Sequence, residues 1–194
     1  MIALRARQAG GRLRPRTVRL TVLLLAAALL RAALLPLGDG FSTLVFGACL
    51  LGFSLMEPGA PTAEARWGRC WSVVAGVTLG LLLVAPLLAG FSSARPLSGF
   101  LEWGAIAALI ATLEEVAIRG RLQQRWTEDA GPLYAILAGA AVFALIHLPR
   151  YGVSAMPLDF SVGVALGGLR ALTGRVMPGA IAHVMADWGA WFAL

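Results

Sequence analysis

The chain contains two histidines, and each stands in an apolar run with acidic residues close by. His147 follows Val142-Phe143-Ala144-Leu145-Ile146, and His183 follows Gly179-Ala180-Ile181-Ala182 with Asp187 four residues on. A third apolar run ends in Glu114-Glu115, with Arg119 four residues past the second glutamate. Ionisable groups in such segments are costly, so each needs a partner or a function. Glu115 and Arg119, acid first and four apart, are in the favourable order for a helical ion pair. That pair neutralises both charges and gives Glu115 a structural task. Glu114 then points about 100° around the helix and stays unpaired. An unpaired carboxylate in a desolvated setting suits a general base. Asp187, one turn beyond His183, can orient the imidazole or share a metal with it. Glu114, His147 and His183 are also a possible ligand set for Zn²⁺, which lowers the pKa of bound water. A glutamate base needing no cofactor is the favoured of these two chemistries.

The elements that carry these residues must be membrane spans. Of 194 residues 59% are hydrophobic and only 13% charged, about half the usual charged share. A soluble fold of this size cannot hide so much apolar surface. The expected fold is an all-α, polytopic transmembrane helix bundle of six to seven spans, near 18–37, 41–56, 71–91, 99–125, 133–149, 158–173 and 177–193. The polar run Glu128-Asp129-Ala130-Gly131-Pro132 is the turn between the fourth and fifth of these. Glu114 and His147 are equally far from its centre, so in an antiparallel hairpin they lie at equal depth. His183 lies eight residues past Arg175, roughly 12 Å into its span at about 1.5 Å per residue. All three groups are therefore expected to share one depth, about a third of the way into the bilayer.

All 16 basic residues are arginines, and the formal net charge is +6. Apart from Arg31 they lie outside or at the ends of apolar runs, where they set topology; this argues against a nucleic-acid partner. Residues 1–19 form an Arg-rich tail without an acid, expected to be cytoplasmic. The loops holding Arg66 and Arg69, then Arg125, then Arg170 and Arg175 fall on the same side, and Arg95 and Arg150 on the other. The composition, rich in Ala, Gly, Leu and Arg, points to a bacterial inner-membrane protein. Arg31 lies mid-span with no evident partner. Gly76/Gly80 and Gly163/Gly167 have the GxxxG spacing of close helix packing. Pro86 reads as a kink, Glu102 and Trp188 as interfacial residues, and Phe143 as packing. Cys49 and Cys70 form no metal or redox motif.

The three groups of residues also form an ordered set of motifs: EExxxR at Glu114-Glu115-Val116-Ala117-Ile118-Arg119, FxxxH at Phe143–His147, and HxxxD at His183–Asp187. Over residues 97–193 this resembles the CAAX-protease and bacteriocin-processing family of intramembrane endopeptidases, which includes the Rce1-type prenyl-protein proteases and the bacterial myxosortases. The resemblance implies that Glu114 and His147 activate a water within the membrane. It implies that His183 and the residue at 187 stabilise the oxyanion, and that Glu115 and Arg119 hold the site together. Position 187 is often asparagine in that family. An ionised aspartate cannot donate to an oxyanion, so Asp187 is either protonated, or orients His183, or helps hold a metal.

The chain is thus expected to divide into the tail at 1–19, accessory helices at 20–96 and a catalytic core at 97–194. Its expected function is endoproteolysis of a membrane-anchored protein or peptide, within a lipid bilayer. Two other readings use the same residues: a small transporter with a Glu/His relay, for which no inverted repeat is visible, and a non-catalytic scaffold or immunity protein of the same fold.

Overall fold

The computed structural model describes residues 13–56, 65–88 and 97–193. Most of the tail (1–12) and Arg95 lie outside the described residues. Within them the chain is helical: α1 (Pro15–Leu34), α2 (Asp39–Met56), α3 (Arg69–Leu88), α4 (Phe100–Glu115), α5 (Gln123–Ala130), α6 (Pro132–Tyr151), α7 (Met156–Thr173) and α8 (Met177–Ala193). A π-helical segment, Val116–Leu122, joins α4 to α5 without a break, and no strand occurs among the described residues. The seven expected spans correspond to α1, α2, α3, the α4–π–α5 rod, α6, α7 and α8.

Five stretches are by themselves long and apolar enough to cross a membrane: Pro15–Leu37, Asp39–Met56, Arg69–Pro86, Pro132–Tyr151 and Val153–Thr173. The expected six to seven spans exceed that number for a local reason. Helix α4 has 16 residues and α8 has 17, and these two carry the paired glutamates and the HxxxD motif.

Packing is reversed relative to a soluble protein. Leucines such as Leu29, Leu55, Leu82, Leu101 and Leu109 face outward, while Glu114, Glu115, Arg119, Gln123 and His183 are buried. Water would reward the opposite arrangement; lipid makes this one stable, because the outward chains meet hydrocarbon. The protein is a membrane protein of the helical-bundle type.

The glycine pairs do what their spacing implies. A Cβ placed on Gly76 of α3 would lie 2.7 Å from the Pro178 carbonyl oxygen of α8, and one on Gly163 of α7 would lie 2.7 Å from Ala140 Cα of α6. Only hydrogen at these positions lets the two helix pairs come so close. Between them runs a core built from Leu24, Phe46, Leu50, Ile118, Leu122, Phe143, Ile146 and Leu166.

The ends of the helices sort as the charge pattern implies. At one end, Thr17 Oγ1 donates to Asp129 Oδ2 at 2.7 Å, and Arg14 Nε lies 3.2 Å from Asp129 Oδ1. At that end too, Arg175 Nε donates to the Trp67 carbonyl at 3.4 Å. At the other end an Arg150–Asp39 ion pair ties α6 to the start of α2. Arg31, without an evident partner in the sequence, donates to Thr43 Oγ1 at 3.3 Å and lies 5.0 Å from the centre of the Phe46 ring.

Candidate active site

Four elements contribute. Helix α4 delivers Glu114 and Glu115 at its last turn, the π segment delivers Arg119, α6 delivers Phe143 and His147, and α8 delivers His183 and Asp187.

Glu115 is the anchor. Its side chain is fully buried, and Oε1 lies 3.0 Å from Arg119 Nη1 and 3.3 Å from His183 Nδ1. Arg119 is held in turn: Nη2 donates to the Gly163 carbonyl at 3.3 Å, and the guanidinium sits 4.6 Å from the centre of the Phe143 ring. Four residues on, Gln123 Nε2 donates to the Gly167 carbonyl at 2.9 Å. The GxxxG stripe of α7 therefore supplies two bare carbonyls, one turn apart, to two long donors from the π segment and α5. The wide turn that seats Arg119 begins directly after Glu115; such π turns recur at functional sites.

The other Glu115 oxygen, Oε2, has no hydrogen-bond partner among the described residues. It lies against Gly179 of α8, where an added Cβ would approach it to 2.7 Å. Because Oε1 is already held by the ion pair with Arg119 and by His183 Nδ1, the carboxylate cannot swing aside freely. Gly179→Ala is therefore expected to lower activity about 10- to 100-fold, the scale for a displacement near 1 Å in a catalytic array, with the bundle still assembled. Cleavage rate and melting temperature of the variant check this; unchanged cleavage would show that Glu115 tolerates displacement.

Glu114 turns away from that pair, as the helix geometry requires. Its Oε2 lies 3.8 Å from His147 Nε2 and 3.9 Å from His183 Nε2. His147 Nδ1 is 2.8 Å from the Phe143 carbonyl oxygen. That oxygen only accepts, so Nδ1 carries a proton and neutral His147 presents a lone pair at Nε2. His183 donates from Nδ1 to Glu115, so its Nε2 also faces Glu114. Asp187 Oδ1 lies 3.9 Å from this Nε2. The group orienting His183 is thus Glu115 rather than Asp187. The cluster is open on one side: the side chains of Asp187 and His147 are 37% and 14% exposed, that of Glu114 only 4%.

One ligand atom each from Glu114, His147 and His183 lies within 4.8 Å of the other two. Tetrahedral Zn²⁺ would need such atoms about 3.4 Å apart at bond lengths near 2.1 Å. A water about 2.8 Å from each would put them about 4.6 Å apart. At 3.8 and 3.9 Å the two Glu114–histidine separations fall between these two values, so the same three atoms accommodate a bridging water or, after contraction, a zinc ion. Asp187 stands outside this three-residue set.

All six sequence-predicted site residues, Glu114, Glu115, Arg119, His147, His183 and Asp187, come together. Sequence reasoning underrated Phe143, which is 2% exposed and touches three of them, its ring centre 4.4 Å from that of His147 and 5.2 Å from that of His183. It missed Tyr151, whose ring stacks on His147 at 5.7 Å, although the i,i+4 spacing from His147 was a usable signal. It also missed Gly179 and the Gly163 carbonyl.

Fold and site together define a polytopic membrane protein with a buried Glu–His–His centre. Residues 96–189, just under half of the chain, match the family described as type II CAAX prenyl endopeptidase Rce1-like, and this segment is similar to the CAAX-protease and bacteriocin-processing family. At family level its activity is that of an intramembrane CAAX-type endopeptidase. No curated protein and no solved structure matches the chain significantly.

Proposed function

We propose that this protein hydrolyses a peptide bond of a membrane-anchored protein, using a water held by Glu114 and His147. The observation that carries the reading is the convergence of Glu114, His147 and His183, one ligand atom of each lying within 4.8 Å of the other two. The water donates one hydrogen to the His147 lone pair and the other to Glu114. Glu114 takes its proton as the oxygen attacks the carbonyl carbon. The carbonyl oxygen becomes an oxyanion beside His183, whose Nε2 proton it accepts as a hydrogen bond. Glu114 then returns the proton to the amide nitrogen, the C–N bond breaks, and a carboxyl and an amino terminus are released.

In this scheme Asp187 has an electrostatic task. A carboxylate near His183 Nε2 favours a proton there, and Glu115 on Nδ1 holds the ring at the right angle. Asp187 therefore need not donate, which accommodates aspartate at this position. A bound Zn²⁺ would be held by Glu114, His147 and His183 and would polarise the attacking water; we favour the metal-free reading because Glu114, not engaged by the Arg119 pair, is the best-placed general base. We place the protein in a bacterial inner membrane with its amino terminus cytoplasmic, a reading supported by the arginines gathered at one end of the bundle.

His147→Ala is expected to reduce cleavage about 10²-fold or more in protein that still assembles in membranes, and treatment with a chelator is expected to leave the wild type active. Activity persisting in His147→Ala counts against the assigned role. Loss on chelation, restored by Zn²⁺, establishes the metal-dependent reading instead.

A further inference from the structure

A cavity lies away from the catalytic cluster. It has a volume of about 490 Å³ and opens at the bundle end where α3 starts, α7 turns into α8 and the π segment passes. Four arginines line it, Arg69, Arg121, Arg170 and Arg175, and no acidic residue does so among the described residues. Such a cluster repels itself unless an anion sits within it.

Two further observations point to a ligand. Arg170 is buried, 9% exposed, yet among the described residues its Nε has no hydrogen-bond partner, and neither has the buried Nε of Arg121. Guanidinium groups that only fix topology extend into water or headgroups. Here two of them bury an Nε that no described residue satisfies, and burying an unpaired donor is costly. A planar fork of N–H donors matches a phosphate, which accepts two parallel bonds from each.

We propose that this cavity binds one phosphate group, carried by an anionic phospholipid or by a soluble phosphate. Its wall residues Val116 and Gly120 flank Glu115 and Arg119 in the chain, so the ligand would brace the segment that holds the catalytic glutamates. This goes beyond the proteolytic reading and stands apart from it, because the readout is binding.

The test uses the full-length protein purified in a non-ionic detergent. Dihexanoyl phosphatidylglycerol, dihexanoyl phosphatidylcholine and inorganic phosphate are titrated separately, with melting temperature and native mass spectrometry as readouts. Phosphatidylglycerol is expected to bind one to one, with about tenfold or weaker affinity in R121Q/R170Q, the scale for losing one or two charge-assisted bonds. The single variant R121Q, at a half-buried position, is expected to show a smaller loss and guards against misfolding of the double one. An equal response to inorganic phosphate, also lost in R121Q/R170Q, assigns the site to a soluble phosphate. Equal binding by wild type and both variants, phosphatidylcholine binding as tightly as phosphatidylglycerol, or no response to any probe overturns the proposal.

Discussion

Glu114→Gln is expected to lower the rate of peptide cleavage by about 10³-fold or more, with the protein still folded in the membrane. Glutamine keeps the shape and the hydrogen-bonding length of the side chain but cannot take a proton from water. General-base assistance contributes typically 10²–10⁴, and Glu114 is the sole unpaired carboxylate in contact with both histidines among the described residues. Its side chain is 4% exposed, so bulk water is poorly placed to substitute. The structural cost is small, because the contacts of Glu114 with the two histidines are no closer than 3.8 and 3.9 Å. A large kinetic loss with an unchanged melting temperature is the expected signature. The rate is measured as the appearance of the new substrate terminus in membranes holding equal amounts of wild type or variant.

The opposite signature is expected for Arg119→Ala. Arg119 and Glu115 have side-chain exposures of 1% and 0%, and the guanidinium also ties the π segment to α7 through the Gly163 carbonyl. Removing it leaves Glu115 buried with His183 as its remaining partner. Breaking a buried pair from one side costs about 3–5 kcal/mol, a large part of the stability of a domain this size. The variant should melt far below the wild type or fail to accumulate. The double variant Glu115→Gln/Arg119→Met should recover much of that loss, since replacing both partners by neutral groups removes the stranded charge. It should stay inactive, because His183 loses its orienting carboxylate. Thermal melting of purified single and double variants checks this; an Arg119→Ala protein as stable as wild type would mean that the pair does not hold the fold.

How much of this was legible from the sequence depends on the range of each interaction. The Glu115–Arg119 pair and the outward turn of Glu114 follow from helical spacing alone. The meeting of Glu114 with His147 follows from their equal distances from the turn at Gly131, and it is there at 3.8 Å. The π segment was not legible, because no composition rule marks one; Gly120 within a helix was the nearest hint. Nor was the role of the α7 carbonyls: GxxxG announces close approach but does not say which donors will use it. The choice between Asp187 and Glu115 as the partner of His183 Nδ1 needed the α4–α8 crossing, a long-range fact. The arginine-lined cavity is the same kind of case. Its residues come from three separate stretches, whose arginines each read alone as a topology signal.

The most direct test compares protein termini by mass spectrometry in membranes of three strains, one with the wild-type gene, one lacking it and one carrying Glu114→Gln. If Glu114, His147 and His183 form a hydrolytic centre, at least one membrane protein should show a new terminus with the wild type and keep its intact chain in both other strains. Identical termini in all three strains, or the same new terminus in the Glu114→Gln strain, would contradict it.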